Sequence, residues 1–291
     1  MKPVGIVTDS HSSVSMEVAK ELGIHVLPMP FYVGEECYYE EVSITREEFF
    51  EKLNKGENVT TSQPSPEDVI KLWRECLKEY EQILYMPISS GLSGACSVAG
   101  VMAREEEFEN KVLVVDNGRV STPMHRSILD ALELIEQGYD AQQIKKILED
   151  SKDDMSIYIA VETLEFLKKG GRVTPTAAAI GSVLNIKPIL KLATGVLDSY
   201  KKSRGMKKAR KEMLEAMKQD MTVRFKDSYE KGEIYLLAAT SADEETTAGW
   251  IKEIEEYFPG MKVMCDNLSL GISCHTGEGA LGIGCSCKPR V

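Results

Sequence analysis

No stretch of this sequence approaches the ~18 consecutive apolar residues that a membrane-spanning helix requires. Positive charge is also short: 35 Lys and Arg stand against 46 Asp and Glu, a formal net charge of −11. That balance argues against nucleic acid and against an anionic membrane surface as partners, because a phosphate-binding face needs an excess of cations. No targeting segment is visible, since Met1-Lys2-Pro3-Val4-Gly5-Ile6-Val7 meets Thr8-Asp9-Ser10 before a leader's apolar stretch can form. The cytoplasm is therefore the expected compartment. The seven cysteines (37, 76, 96, 265, 274, 285 and 287) are odd in number and contain no CxxC pair. This spacing argues against a disulfide framework and against the usual zinc sites, so reduced thiols and no metal are expected. Neither an internal repeat nor a low-complexity linker interrupts the chain.

What is present fits two packed domains. At 291 residues with 43% apolar content, the chain exceeds one ordinary core and falls short of three. In the first half, the β-rich runs Pro3 to Thr8, Ile24 to Val33, Ile83 to Ile88 and Val112 to Asp116 alternate with amphipathic helical ones. Thr45-Arg46-Glu47-Glu48 is a capping box. Ser65-Pro66-Glu67-Asp68 joins a Ser N-cap to proline in the first helical turn and to acids near the positive end of the helix dipole. Strand followed by helix, repeated, predicts a parallel sheet covered on both faces. Past Asp154 the strands Ile157 to Val161, Ile189 to Val196, Ile234 to Thr240 and Val263 to Leu268 fall at unequal intervals, with Thr194-Gly195 offering a turn. Helical runs Met206 to Met221 and Ala242 to Tyr257 flank the later strands, the second opening on Ser241-Ala242-Asp243-Glu244 as a capping box. The expected fold is α/β in two domains: an N-terminal parallel-sheet domain over residues 1–155 and a C-terminal mixed-sheet domain over 156–291.

Several loops carry chemistry. Ser89-Ser90-Gly91-Leu92-Ser93-Gly94 follows a predicted strand and precedes the helical run Ala95 to Ala103. Such a turn lies at the carboxyl edge of a parallel sheet, where open α/β sheets bind ligands, and its N–H groups and Ser hydroxyls suit an anion. Helix capping alone explains the same composition. Thr60-Thr61-Ser62-Gln63-Pro64-Ser65-Pro66 is a second hydroxyl-rich loop, either a further set of donors to that edge or a lead-in to the next helix. His275 lies among Cys274, Thr276 and several glycines; its ring can donate to a carboxylate or fill a structural role.

Gly277-Glu278-Gly279-Ala280-Leu281-Gly282 has the spacing of a dinucleotide fingerprint. Too few residues follow Gly282 for the helix and second strand that give the pattern meaning, so the glycines fit a tight backbone path beside His275 instead. Cys265, Cys274, Cys285 and Cys287 crowd the same end, where cysteine as a small buried hydrophobe is the commoner use. Lys168-Lys169-Gly170-Gly171-Arg172 and Lys201-Lys202-Ser203-Arg204, the latter leading to Lys207, Lys208, Arg210 and Lys211, are basic features in an acidic chain. They suit a phosphate or an acidic partner, or else solvated helix ends.

Taken in order, Thr8-Asp9-Ser10, Thr61-Ser62-Gln63-Pro64-Ser65, Ser89-Ser90-Gly91-Leu92-Ser93-Gly94, Phe166-Leu167-Lys168-Lys169-Gly170-Gly171-Arg172, Lys187-Pro188-Ile189-Leu190 and His275-Thr276-Gly277 resemble the DegV family over nearly the whole chain. The resemblance implies two α/β domains with a lipid tunnel between them, one bound long-chain fatty acid, no cofactor and no catalytic residue. Members of the FakB type present the fatty acid to a separate fatty acid kinase subunit, which phosphorylates its carboxylate to an acyl phosphate. Carried over, Thr61 and Ser93 look like the hydroxyls at the carboxylate and His275 like the histidine near it, with Ser62 and Gly94 in the same loops. Arg204, and less directly Arg172, correspond to basic residues linked to phosphate handling or kinase contact. The stretches Thr176 to Ile180 and Val183 to Leu184 are candidates for the tail lining, as they are for ordinary core.

The chain departs from the family twice. Gly277-Glu278-Gly279 replaces a usual Gly-Pro-Gly, and Glu278 is expected to point outward, away from a bound carboxylate. Tyr38-Tyr39-Glu40-Glu41-Val42 stands where an Asp-Gly turn is common. Two other functions use the same residues. One is a serine acyl hydrolase with Ser93 as nucleophile, His275 as base and Asp116 orienting it, although Gly91-Leu92-Ser93-Gly94-Ala95 is not a GxSxG elbow. The other is a lipid-sensing regulatory module.

Overall fold

Strands buried on both faces read as continuous apolar runs, and the N-terminal half is built on them. The computed structural model describes residues 1–179, 185–193 and 196–291. The expected turn at Thr194-Gly195, and Ile180, Val183 and Leu184 of the suggested tail lining, lie outside the described residues. The chain divides into two compact units. One comprises Met1–Lys152, Ser269–Gly271 and Pro289–Val291, the other Asp153–Leu268 and Ile272–Lys288.

The N-terminal unit contains strands β1 (Lys2–Asp9), β2 (His25–Leu27), β3 (Pro30–Val33), β4 (Glu36–Tyr39), β5 (Val59–Thr61), β6 (Tyr80–Met86) and β7 (Val112–Val114). Its helices are α1 (Met16–Leu22), α2 (Arg46–Asn54), α3 (Pro66–Cys76), α4 (Ala95–Met102), α5 (Ser121–Glu136) and α6 (Ala141–Asp150). β2, β1, β6 and β7 pair in that order as a parallel sheet. The period-two alternation of a strand splits β6 between two cores. Ile83 and Tyr85 pack with Trp73 of α3, Met102 of α4 and Phe108. Leu84 and Met86 pack with Ile128 and Leu134 of α5 and with Ile144 and Leu148 of α6. The capping box at Thr45 and the Ser65 cap with its proline form as the sequence predicts.

One local reading needs correction here. The run Ile24 to Val33 is two strands, because Pro28 and Pro30 interrupt the ladder. β2 stays in the parallel sheet, whereas β3 turns into a small antiparallel sheet of order β4-β3-β5. In place of the family's Asp-Gly, Glu41 adopts φ 60°. This left-handed conformation suits glycine; the Glu41 carboxylate accepts from Met16 N at 2.7 Å.

The C-terminal unit contains β8 (Met155–Ala160), β9 (Ile186–Ala193), β10 (Val196–Arg204), β11 (Ile234–Thr240), β12 (Val263–Asn267) and β13 (Leu281–Cys287). Helices α7 (Glu165–Gly170), α8 (Pro175–Ala178), α9 (Met206–Gln219), α10 (Lys226–Glu230), α11 (Glu244–Tyr257) and α12 (Leu270–Thr276) connect them, α12 starting with two residues that belong to the N-terminal unit. The sheet runs β10-β9-β8-β13-β11-β12 and is mixed, with β11 and β12 parallel and the other pairs antiparallel. Met213 and Met217 of α9 and Trp250 and Ile254 of α11 cover one face; Leu164, Leu167, Ala177 and Leu268 cover the other. The dinucleotide-like glycines lead into the fully buried strand β13 rather than into a helix.

The predicted strand Ile189 to Val196 is likewise two, the antiparallel pair β9 and β10. β10 escapes sequence reading because an edge strand bearing Lys201, Lys202 and Arg204 lacks apolar alternation. Nor does Ser241 cap α11: Asp243 does, accepting from Thr246 N at 2.8 Å. Ser241 instead donates its hydroxyl to Gly277 O at 2.7 Å and accepts from Ala280 N at 2.9 Å, tying down the loop after His275. Among the described residues, no helix is long and apolar enough to cross a membrane.

Asp130 of α5 is 2% exposed and accepts from Arg126 Nε at 3.0 Å. Burial pushes its carboxyl up to about 6, against the charges of Arg126 and Arg119. An unfolded aspartate titrates near ~3.9, so the folded state keeps the proton over the interval between. This residue's contribution to stability is then present below pH ~4 and lost as pH rises through about 6. In urea melts, the stability of wild type relative to Asp130→Asn is expected to fall across that interval; a difference that does not vary with pH counts against the assignment.

Candidate functional site

β6 ends at Met86, and the chain turns through Ser89-Ser90-Gly91-Leu92-Ser93-Gly94 into α4. Backbone bonds fix this turn: Leu92 N and Ser93 N donate to Ser89 O at 3.0 and 3.1 Å, and Ser89 N donates to Arg119 O at 3.0 Å. The half-buried Ser93 accepts from Ala95 N through Oγ at 3.2 Å. That bond occupies a lone pair and leaves the hydroxyl proton for an outside acceptor. Gly94 is the N-cap of α4 and has no side chain to cap it, so of the leading amides Ala95 N finds its side-chain partner in Ser93 Oγ.

The second hydroxyl loop reaches the same edge. β5 pairs with β3, Thr61 opposite Phe31, and Ser62 N donates to Pro30 O at 3.3 Å. Past that anchor, the side-chain amide of Gln63 packs directly on Gly94, where any Cβ would collide with it. The structure thus brings together the loops of Thr61 and Ser62 and of Ser93 and Gly94. The Ser93 turn rests on a buried frame at the end of β1. Thr8 Oγ1 donates to Met86 O at 2.8 Å, and Asp9, 0% exposed, accepts from Ile88 N at 2.8 Å and His11 N at 2.9 Å.

In the C-terminal unit, α12 carries half-buried His275 in its last turn. The imidazole lies on the backbone of Gly170, with Nδ1 where a Cβ would be. Arg172 donates through Nη1 to the carbonyl of that same glycine, so His275 and Arg172 share one backbone support. Gly171 ends α7 at φ 67°, and Gly277, at φ 73°, passes close to the Phe166 ring. Glu278 is exposed, as its expected outward orientation requires. Arg204 is elsewhere. It is exposed at the end of β10 opposite Ile186, whereas Val173, next to Arg172, bridges to Leu197 near the strand's start. At the usual rise per residue the two arginines are roughly 20 Å apart along β10, and they do not form one cationic site. Arg204 instead lines a groove of ≈ 660 Å³ with Lys207, Lys208 and Lys211 of α9, faced by Glu253, Glu256 and Tyr257 of α11.

Asp116, the orienting acid of a serine-hydrolase reading, is already engaged. Ser90 donates to it through N at 3.3 Å and Oγ at 2.5 Å, Gly118 N donates at 3.4 Å, and Lys152 Nζ lies 3.5 Å away. Burial opposes the charged form, but the Ser90 bonds and the Lys152 charge outweigh it and hold the carboxyl below the usual aspartate range. Ser93 bonds to Ala95 rather than to an activating base, and that reading finds no support in the geometry. Sequence reasoning missed Gln63, Gly170 and Ser241. Only Gly170 left a signal: of the pair Gly170-Gly171, the second alone is needed for the left-handed helix end.

A hydroxyl-lined loop pair at the carboxyl edge of a parallel sheet, in a chain with a second, mixed-sheet unit, describes an α/β protein suited to holding an anionic small ligand. The family model described as "uncharacterised protein, DegV family" matches residues 3–288, and the chain belongs to the DegV family. It is 32% identical over 288 residues to Protein DegV of Bacillus subtilis, covering 98% of this chain and 99% of that one. A solved structure of a DegV family protein from Thermus thermophilus, described by its fatty acid binding, superposes with a TM-score of 0.85 at 33% identity, covering 98% of this chain and 99% of that one. The crystal structure of DegV from Bacillus subtilis, described as a fatty acid binding protein, gives 0.84 at 30% identity, covering 99% and 100%.

The support under His275 is testable. Gly170→Ala is expected to destabilise the protein by about 1–3 kcal/mol through overpacking and to shift the His275 ring resonances. Gly100→Ala, a helical position with nothing within 4 Å of the added Cβ, is expected to be neutral or to stabilise by up to ~1 kcal/mol. Equal effects at both positions would remove the steric argument.

Proposed function

We propose that this chain binds one long-chain fatty acid in a buried tunnel and presents its carboxylate to a separate fatty acid kinase, acting as carrier and not as catalyst. The reading is carried by the meeting of the Thr61–Gln63 loop with the Ser93–Gly94 loop at the carboxyl edge of β6. Membership of a family in which two solved structures, at 33% and 30% identity, are described by fatty acid binding supports it. In this reading the hydroxyls of Thr61 and Ser93 donate to the carboxylate, the leading amides of α4 at Gly94 and the adjoining Ser62 complete the cradle, and His275 supplies a further donor.

Burial of an acyl chain contributes about 0.8 kcal/mol per methylene, so a ~16-carbon tail supplies on the order of 12 kcal/mol before entropic costs. The head group then needs only a few aimed donors. Hydroxyls and an imidazole hold a carboxylate without burying a permanent opposing charge, and leave an oxygen able to attack a nucleotide's terminal phosphate. Exposed Arg204, with Lys207, Lys208 and Lys211 beside it, gives an otherwise acidic chain a cationic face for the kinase. Arg172, on the support of His275, is assigned to the head-group neighbourhood instead.

Native and denaturing mass spectrometry of freshly purified protein is expected to find one fatty acid per chain; no lipid, and no uptake of oleate when offered, would refute the reading. Ser93→Ala, Thr61→Val and His275→Ala are each expected to weaken oleate binding by about tenfold, the worth of a hydrogen bond to a charged group. Arg204→Glu is expected to leave oleate affinity unchanged while slowing kinase-dependent acyl phosphate formation at least about tenfold.

A further inference from the structure

Two contacts pin the first turn of α12, the helix that carries His275. The amide of Leu270, its first residue, donates to Glu40 Oε2 at 2.9 Å, so a carboxylate from just beyond β4 closes the helix start from outside. Gly271 takes the second contact. A Cβ there would lie 2.6 Å from His11 Nε2, so the imidazole of His11 rests on the turn's backbone. His11 is itself held by the buried Asp9, through its amide at 2.9 Å and Nδ1 at 3.4 Å from the same carboxylate oxygen. Asp9, His11, Glu40, Leu270 and Gly271 all belong to the N-terminal unit. His275 lies near the far end of the same seven-residue helix.

We propose that Glu40 is a positioning residue for His275: by holding the start of α12 at Leu270, it fixes the helix that carries the imidazole. The proposal rests on the fatty-acid reading above. The groups around Glu40 make this hold depend on pH. Burial pushes its carboxyl up to about 7, with Glu41 beside it adding to the rise. The Leu270 N–H, Arg46 from α2 and His11 from the turn after β1 pull the other way. A change of pH around neutrality therefore changes the charge of the acceptor at Leu270. The charged form is the stronger acceptor, so the hold on α12 tightens as pH rises.

The test is a double-mutant cycle on delipidated full-length protein, with oleate binding followed by calorimetry and folding of each variant checked by thermal melt. Glu40→Ala is expected to weaken oleate binding by about tenfold, the worth of a helix cap, in the wild-type background. In the His275→Ala background the same change is expected to cost less than about twofold, since its effect runs through the missing ring. A loss of equal size in both backgrounds, or none in either, overturns the proposal. Glu40→Gln keeps an acceptor for Leu270 without the charge and decides the matter if Glu40→Ala does not fold. Its affinity relative to wild type is expected to be near unity at pH 6 and to fall severalfold by pH 8.5. A ratio that stays constant with pH overturns the proposal. If wild type takes up no oleate, or His275→Ala binds as well as wild type, it is the underlying reading that fails, and the proposal with it.

Discussion

A carboxylate with no exposure to solvent holds the edge on which the N-terminal loops are built. Asp9 ends β1, and its two oxygens accept from the backbone at Ile88, where β6 leads into the Ser93 turn, and at His11, where the chain bends toward α1. A buried charge of this kind survives only with its hydrogen bonds made. The loops after β1 and β6 are therefore fixed relative to each other by a group whose desolvation would be costly if either moved. The Gln63 contact then seats the Thr61 loop against that edge.

The polar chemistry is distributed by strength. At the proposed head-group site the donors are hydroxyls, amide N–H groups and an imidazole, weak enough singly that a ligand leaves with its tail rather than staying trapped by its head. Guanidinium and ammonium groups of Arg204, Lys207, Lys208 and Lys211 are gathered instead on a solvent-facing groove, where they carry no desolvation cost set by burial. Arg172, on the same backbone support as His275, turns a nitrogen back to Gly170 and so spends part of its donor capacity on the backbone.

The sequence's legible features were those whose cause is local. The parallel sheet followed from strand and helix alternation, and the Thr45 and Ser65 caps from residues within a single turn. The candidate loops at Ser93 and Thr61 were visible for the same reason, as hydroxyl-rich segments at strand and helix ends. The misread features depend on distant partners. Ser241 looks like a cap until the loop at Gly277 and Ala280 claims its hydroxyl. β10 looks like a basic lead-in to a helix until β9 pairs with it. Gly170 needed knowledge of where an imidazole from residue 275 comes to rest, and the Glu40 bond spans 230 positions, a separation no periodicity reports.

The passage of residues 269–271 through the N-terminal unit bears on how the protein is synthesised. Strand pairing within the parallel sheet is available once β7 has left the ribosome, but the acceptor at Glu40 has no donor until Leu270 emerges. At ~5–20 residues per second, the nascent N-terminal unit spends on the order of ten seconds with that carboxylate still solvated. Residues 269–271 thus join this unit long after its sheet can pair, and a chain cut short before Ser269 retains the β1 edge while lacking the helix that bears the histidine.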